Sequence, residues 1–329
     1  MTTAPETVLS VRGLTVEIRG NAGSLRPVDD VSFDLAKGSV LGVLGESGCG
    51  KSMLLRTLMG IEPPRAAVSG EVWTRGRDLV AMSPRERAET RGSWISMVFQ
   101  NPMTALDPVY TVERQLVEPL RRHSGMDRRA ARTRALELLE LVQITDPKRR
   151  LKAYPFELSG GMRQRVAIAA ALACGASVLL ADEPTTALDV TVQARILALL
   201  NDVRAELGTS TVIVTHDVGV TAELADEVLV LYAGRTIESG TCREVLKNPR
   251  HPYTIGLLDA NVRGGQRTRP AAIPGAPPNL ALLPSGCSFA PRCRHAAALC
   301  RAGDPPVRRF TDSHTARCVH AGASAAQGE

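Results

Sequence analysis

The sequence predicts an α/β fold built on a mostly parallel sheet, and three observations lead to that prediction. An apolar run at 40–44 ends in a Gly-rich turn and is followed by helical spacing over 51–60. Apolar runs and helical patterns then alternate between residues 178 and 231, which is typical of a parallel sheet covered on both faces. The first forty residues alternate apolar and polar instead, and this pattern predicts short antiparallel strands.

Two interruptions of this alternation predict how the chain is organised. The segment of about 102–157 is mostly helical and predicts an insertion; within it, Asp127 is a plausible cap for a helix that runs to Val142. Residues 263–286 are rich in Pro, Gly and Arg and predict a linker. We therefore expect a large domain at 1–250 and a small C-terminal extension at 251–329, since 329 residues exceed an ordinary single core.

Composition narrows the classes of function. The net charge of +6 comes from scattered Arg residues, and aromatic residues make up only 3% of the chain. No basic stripe with interleaved aromatics is present, which disfavours a nucleic-acid-binding surface. The N-terminus has no signal-peptide pattern, and the longest apolar run, 167–181, is shorter than the roughly 20 residues that span a bilayer. If the protein works at a membrane, other subunits must span it.

A Gly-rich octapeptide follows the apolar run at 40–44 and matches the phosphate-binding P-loop pattern: Gly45-Glu46-Ser47-Gly48-Cys49-Gly50-Lys51-Ser52. Glycines let backbone N–H groups surround phosphate oxygens, and the helix predicted over 51–60, which includes Met53, directs its positive end at the same anion. Lys51 is expected to reach the β- and γ-phosphates and the Ser52 hydroxyl to bind Mg²⁺. The alternative is an ordinary Gly-rich turn. Cys49 admits a second hypothesis, a redox switch, since a helix N-terminus lowers a thiol pKa.

Five further elements follow along the chain: Gln100, Leu158-Ser159-Gly160-Gly161-Met162, Val178-Leu179-Leu180-Ala181-Asp182-Glu183, Ala187-Leu188-Asp189 and His216. In this order they resemble the Q-loop, signature, Walker B strand, D-loop and switch histidine of the ABC ATPase family. The resemblance covers about residues 8–250. It implies a RecA-like P-loop NTPase core with an antiparallel β subdomain and a helical subdomain.

The resemblance also implies a role for each residue. Asp182, Ser52 and Gln100 would hold Mg²⁺, Glu183 would polarise the attacking water, and His216 would contact the γ-phosphate. The signature residues would bind the ATP of an opposite subunit, so a head-to-tail dimer is implied.

One position departs from the family pattern. The family usually stacks an aromatic ring on adenine, but Ile18 occupies the corresponding position here. Apolar contact would replace stacking at the base, whereas the phosphate-handling residues are all present.

Three segments after residue 250 resemble the C-terminal extension of oligopeptide, dipeptide and nickel importer ATPases: His251-Pro252-Tyr253-Thr254, 273–280 and 286–293. Four cysteines lie in this region: Cys287, Cys293, Cys300 and Cys318. Their separations of five, six and seventeen residues suit a tetrahedral metal or a cubane cluster, and spacing alone leaves Zn²⁺ and iron–sulfur open. The resemblance favours a [4Fe–4S] cluster. A disulfide, simple buried thiols, and substitute ligands at His295, His314 or His320 are alternatives.

The resemblance thus implies a peripheral ATPase subunit on the cytoplasmic side of a cell membrane. It would dock on two permease subunits and pair with a second ABC ATPase, a different chain being favoured over a copy. An extracytoplasmic binding protein would supply the substrate; peptides are expected, with nickel or another solute as alternatives. The rival hypothesis is a soluble ABC-type ATPase acting on nucleic acid or the ribosome, but neither a second cassette nor a long coiled coil is evident in the sequence.

Overall fold

The computed structural model describes residues 6–20, 23–101, 105–186, 189–260 and 273–321. The strands within these ranges are β1 (Thr7–Gly20), β2 (Gly23–Ala36), β3 (Val40–Leu44), β4 (Ala66–Thr74), β5 (Arg77–Asp78), β6 (Ile95–Val98), β7 (Val178–Asp182), β8 (Ser210–Thr215), β9 (Glu227–Tyr232), β10 (Arg235–Thr241), β11 (Val307–Arg309) and β12 (Thr315–Arg317). The helices are α1 (Lys51–Leu58), α2 (Pro84–Thr90), α3 (Val112–Ser124), α4 (Arg128–Leu141), α5 (Pro147–Leu151), α6 (Gly160–Leu172), α7 (Val190–Leu207), α8 (Val218–Leu224), α9 (Cys242–Lys247), α10 (Pro252–Ala260) and α11 (Ala298–Ala302). Short 3-10 turns lie at Pro155–Glu157 and Ala290–Arg292. No helix in the described ranges combines the length and the apolar character that a membrane crossing requires.

The chain divides into two compact units, and each is assembled from three separate segments. The first unit contains Met1–Leu9, Asp34–Ser39 and Trp73–Ile213. The second unit contains Ser10–Phe33, Val40–Val72 and Val214–Glu329. The domain boundaries expected from the sequence, 1–250 and 251–329, stay a prediction.

In the first unit the strands lie in the order β8, β7, β6. β6 pairs in parallel with β7, with Ile95 opposite Val178, and every residue of β7 is buried. Helices α3 and α4 lie in the predicted insertion, and α6 follows it in the sequence. The three helices pack on one another through buried leucines. The cap predicted at Asp127 is confirmed, because its carboxylate accepts a hydrogen bond from the Ala130 N–H at 2.8 Å.

In the second unit the strands lie in the order β11, β12, β10, β9, β3. β3 and β9 are parallel, whereas β9–β10, β10–β12 and β11–β12 are antiparallel. The C-terminal extension therefore adds two strands to the sheet edge. Its residues also share the core: Tyr253 and Phe289 pack with Tyr232 at the end of β9.

The N-terminal region differs in detail from the expectation of several short strands, since β1 and β2 are each fourteen residues long. Gly13 and Asp30 adopt left-handed φ angles of 54° and 56°. The Gly13 N–H donates to the Ser32 hydroxyl at 2.8 Å, and the Asp30 N–H donates to the Thr15 hydroxyl at 3.0 Å. Side-chain oxygens thus replace carbonyl partners where the backbone turns, and the strands continue. The α/β fold class as a whole is confirmed.

Candidate nucleotide site

The predicted phosphate-binding loop lies in the second unit between the fully buried strand β3 and helix α1. Gly50 precedes α1 with a φ of 109°, a conformation that side chains other than glycine's rarely adopt. A Cβ at Gly50 would overlap the Pro27 carbonyl oxygen, and one at Gly45 would overlap that of Leu231. These glycines are therefore required by packing as well as by the approach of phosphate.

Lys51 is buried, and its ammonium group lies inside the turn of this loop. Nζ donates hydrogen bonds to the carbonyl oxygens of Gly45 at 2.7 Å and Glu46 at 2.9 Å. The charge is thus held among backbone dipoles at the position where the P-loop pattern expects phosphate oxygens. Ser52 and Met53 continue the first turn of α1, as the sequence predicts.

Cys49 does not have the environment of a reactive thiol. Its side chain is buried, and this burial raises the pKa of the thiol. A raised pKa disfavours the thiolate that oxidation requires. The structure therefore supports the reading of Cys49 as a small residue that fills the loop, and it weighs against the redox-switch hypothesis.

The two adjacent carboxylates lie in the first unit, where β7 ends. Asp182 is the last residue of β7 and is 3% exposed. Glu183 follows with a left-handed φ of 45°, which costs about 1 kcal/mol or more in a non-glycine residue. Its Oε2 accepts hydrogen bonds from Gln100 Nε2 at 3.1 Å and from the Thr186 hydroxyl at 2.8 Å. Two predicted site residues, Gln100 and Glu183, are therefore in direct contact.

The predicted signature residues cap and begin helix α6. Ser159 is the N-cap, and its hydroxyl accepts from the Met162 N–H at 3.3 Å. Ser159 and Gly160 are exposed, and a Cβ at Gly160 would meet no atom within 4 Å. Leu158 is buried below them, while Gly161 and Met162 are half-buried. Because Ser159 and Gly160 are exposed, the N-terminus of this helix, which favours anions, is open to solvent.

The other predicted residues are placed as follows. Asp189 caps α7 by accepting from the Val192 N–H at 2.9 Å, and the remaining D-loop residues, 187 and 188, lie outside the described residues. His216 follows β8 in the second unit and is exposed. Ile18, expected near adenine, is half-buried on β1.

The four C-terminal cysteines are free thiols that lie near one another. The Cys287 N–H donates to the Cys300 carbonyl at 2.8 Å, and the Cys300 sulfur is 3.6 Å from His320 Nε2. Burial, followed by the neighbouring Cys318 and Cys300, raises the pKa of Cys287 to about 11. However, within the described residues no three His, Cys, Asp or Glu side chains are arranged to hold a metal ion. The side chains of the described residues thus do not form the predicted four-thiolate ligand set.

The histidines weighed as substitute ligands have different surroundings. His314 Nε2 is 2.8 Å from a carboxylate oxygen of the buried Glu238, and this contact occupies the ring. His320 contacts two cysteines: its Nε2 lies 3.6 Å from the Cys300 sulfur, and its N–H donates to the Cys318 sulfur at 3.4 Å. The backbone of His295 makes a hydrogen bond to Cys293.

Sequence reasoning missed four residues that the structure ties to these motifs. Gln164 on α6 donates from its buried amide to the Pro184 carbonyl at 2.8 Å, next to Glu183. Thr186 binds Glu183 directly, as described above. Tyr253 and Arg292 of the extension bind Glu46 of the phosphate-binding loop. Gln164 could have been noticed as a lone polar residue on an otherwise apolar helix face; the other contacts have no sequence signal.

Three features define the class of protein. They are a glycine loop that joins a strand to a helix and contains a buried lysine, an Asp–Glu pair at a strand end, and a serine-capped helix N-terminus that is open to solvent. The class is that of ATP-hydrolysing P-loop enzymes. Residues 28–186 match the family described as ABC transporter, and residues 237–300 match that described as oligopeptide/dipeptide transporter, C-terminal region. The chain belongs to the ABC transporter ATP-binding subunits.

Curated relatives and solved structures agree with this assignment. The dipeptide transport ATP-binding protein DppD of Bacillus subtilis is 46% identical over 95% of this chain and 94% of its own. The oligopeptide transport ATP-binding protein OppD of Salmonella typhimurium is 45% identical over 94% of this chain and 93% of its own. The ATP-binding cassette MJ0796, solved as a post-hydrolysis dimer bound to ADP and Pi, covers 72% of this chain and 99% of its own at 29% identity, with a TM-score of 0.64.

Proposed function

We propose that this chain powers the import of peptides as one of two ATPase subunits docked on two membrane-spanning permease subunits. The observation that carries the proposal is the C-terminal region at 237–300, whose family is defined by oligopeptide and dipeptide transporters. The relatives named for dipeptide and oligopeptide transport match this chain along almost its whole length. In the proposal the chain binds the cytoplasmic side of the membrane, and an extracytoplasmic binding protein delivers the peptide.

In this mechanism the loop 45–53 binds the triphosphate of ATP, and Lys51 neutralises the β- and γ-phosphates. Asp182 and Ser52, with Gln100, offer the oxygen ligands that Mg²⁺ prefers, so these residues fit the ion. Mg²⁺ held by these residues would supply charge neutralisation on the transferring phosphoryl group. Glu183 accepts the proton of the attacking water, and the bonds from Gln100 and Thr186 orient its carboxylate.

Two further elements complete the site when two ATPase subunits meet. His216 contacts the γ-phosphate of the ATP bound by its own subunit. The signature 158–162, at an exposed helix N-terminus, and Asp189 face the ATP of the opposite subunit. The opposite subunit is a related but different chain in this proposal. ATP binding closes the pair, and hydrolysis reopens it.

The roles are tested with Glu183→Gln, which keeps the side-chain shape but removes the base. We expect nucleotide affinity close to that of the wild type and turnover reduced by two orders of magnitude or more. Near-normal phosphate release by this variant would remove Glu183 from the base role. Lys51→Ala is the complementary variant, and it should lose ATP binding itself.

The transport role is tested by affinity purification from detergent-solubilised membranes, followed by identification of the chains that copurify. Two multi-span permeases and a second ATPase are expected. The purified assembly is then reconstituted in vesicles and offered a labelled dipeptide, a labelled longer peptide or Ni²⁺ in separate assays. Recovery of soluble partners alone would contradict the importer, and uptake of Ni²⁺ without peptide would contradict the substrate class.

We further propose that the four cysteines, Cys287, Cys293, Cys300 and Cys318, bind a [4Fe–4S] cluster, with Zn²⁺ as the alternative metal. Their proximity and soft sulfur donors support metal binding, although the thiols do not converge in the arrangement described above. Elemental analysis and the visible absorption spectrum of anaerobically purified protein distinguish the two. Cys293→Ser should lose the metal, whereas Cys242→Ser, a cysteine outside the group, should keep it. Metal-free wild-type protein would contradict this proposal.

A further inference from the structure

The C-terminal extension contacts the phosphate-binding loop at Glu46. The Arg292 guanidinium makes a two-pronged ion pair with its carboxylate, with N–O distances of 2.6 and 3.0 Å. The Arg292 side chain is 6% exposed and that of Glu46 is 23% exposed. Paired, partly buried charges of this geometry are stronger and more rigid than surface ion pairs. The carboxylate in turn raises the pKa of Arg292, which therefore stays charged.

The guanidinium is held in place from the other side as well. Arg292 Nε donates to the Pro274 carbonyl at 2.8 Å, and Nη2 lies 3.4 Å from the Gly275 carbonyl. The cation also lies 6.0 Å from the centre of the Tyr232 ring. Arg292 ends the 3-10 turn Ala290–Arg292, so its backbone is fixed too. The position of the charge is thus determined by contacts with Pro274 and Gly275 of the extension and with Tyr232.

All three polar groups of Glu46 are occupied. Its N–H donates to the hydroxyl of Tyr253 at 2.8 Å, its carbonyl accepts from Lys51 at 2.9 Å, and its carboxylate binds Arg292. Tyr253 is fully buried, and its ring packs 4.6 Å from Tyr232 and 5.4 Å from Phe289, measured between ring centres. The first turn of the loop is therefore clamped by two extension residues.

Because Glu46 is negatively charged, its contact with Arg292 affects ATP binding. A carboxylate one residue into a loop that receives a triphosphate would repel the ligand, and the repulsion is strong in a partly buried environment. Arg292 neutralises that carboxylate and directs it toward the extension. We propose that Arg292 is a positioning residue for ATP binding, which acts through Glu46 by cancelling its charge and fixing the start of the loop. The inference rests on the proposed role of residues 45–53 as the phosphate site.

The test compares equilibrium binding of a fluorescent ATP analogue to the full-length chain and its variants. Arg292→Met should weaken binding about tenfold, which corresponds to about 1.4 kcal/mol. The Glu46→Gln/Arg292→Met double variant should recover most of this loss, because neither charge is then left unpaired. Arg294→Met removes a positive charge from an exposed arginine two residues away and should bind as the wild type does.

Turnover provides the readout that a structural role alone would not give. Because Arg292 contacts no residue assigned to the hydrolysis step, Arg292→Met should raise the KM for ATP far more than it lowers kcat. The ratio of variant to wild-type dissociation constants should also shrink as NaCl is raised, since salt screens the unpaired carboxylate. If Arg292→Met fails to fold, Arg292→Lys takes its place. It keeps the charge without the two-pronged geometry and should lose roughly threefold in affinity.

Unchanged affinity in the folded Arg292 variants would overturn the inference, and so would a double variant no better than Arg292→Met. Lys51→Ala separates this failure from that of the proposed site. If Lys51→Ala binds the analogue normally, the assignment of the loop itself is wrong. If Lys51→Ala loses binding while the Arg292 variants keep it, only the positioning role is refuted.

Discussion

Thr186→Val tests how the structure orients the proposed base Glu183. The substitution replaces a hydroxyl with a methyl group of similar size, so it removes the 2.8 Å hydrogen bond to Glu183 Oε2 and little else. A hydrogen bond to a charged group contributes about 1.5–3 kcal/mol. We take the lower end, because Gln100 still donates to the same oxygen at 3.1 Å. A rise of about 1.5 kcal/mol in the barrier corresponds to roughly tenfold slower hydrolysis.

The assay is steady-state phosphate release by the chain purified with its copurifying subunits, over a range of ATP concentrations. The loss should fall in kcat, with the KM for ATP nearly unchanged, because Thr186 holds the base and not the phosphate loop. Thr185→Val is the matched control, since the adjacent threonine is buried, whereas the hydrogen bonds described above to Glu183 Oε2 come from Gln100 and Thr186. A Thr186→Val variant with turnover within twofold of the control would refute the reasoning.

Three more outcomes are expected. Gly50→Ala should abolish ATP binding in an equilibrium titration, because its Cβ would overlap the Pro27 carbonyl at a φ of 109°; binding within tenfold of wild type would contradict the packing argument. Burial lowers the pKa of His251 to about 3, so the folded chain keeps this ring neutral while the unfolded chain takes up a proton below about pH 6.5. Stability is therefore lost as the pH falls from about 6.5 toward 3, by about 2 kcal/mol at pH 5, and His251→Asn should remove this part of the pH dependence in urea unfolding. Ser159→Ala should lower the free energy of unfolding by about 1 kcal/mol through loss of the α6 cap; an unchanged denaturation midpoint would show that the cap contributes nothing.

The parts of the site that the sequence predicted are those encoded by local patterns. The loop 45–52, the strand-end pair Asp182–Glu183 and the cap at Ser159 each depend on residue types within a few positions of one another. Backbone geometry and capping act over the same short range, so the pattern is enough to predict the local structure. The same holds for Asp127, whose predicted helix is α4.

The contacts that sequence reasoning missed join residues far apart along the chain. Arg292 and Glu46 are 246 residues apart, and Tyr253 and Glu46 are 207 apart. No pattern marks either extension residue as a partner of the loop, since the contact exists only after the sheet has brought β3 and β9 together. The cysteines show the reverse case: their spacing suggested a ligand set, but their side chains do not form one within the described residues.

Because the second unit is assembled from segments that are far apart in the sequence, its contacts can form only at different times during protein synthesis. β3 and the loop leave the ribosome early. The Asp226 carboxylate, which accepts a hydrogen bond from the Val40 N–H, is synthesised 186 residues later, and Arg292, which binds the loop at Glu46, is synthesised later still. At about 5–20 residues per second, the first delay alone is roughly 10–40 s. During that time a nascent chain displays a glycine-rich loop with no parallel β9 strand and no clamp. Premature termination before β9 therefore yields a product in which the edge of β3 that β9 covers in the finished protein stays unpaired.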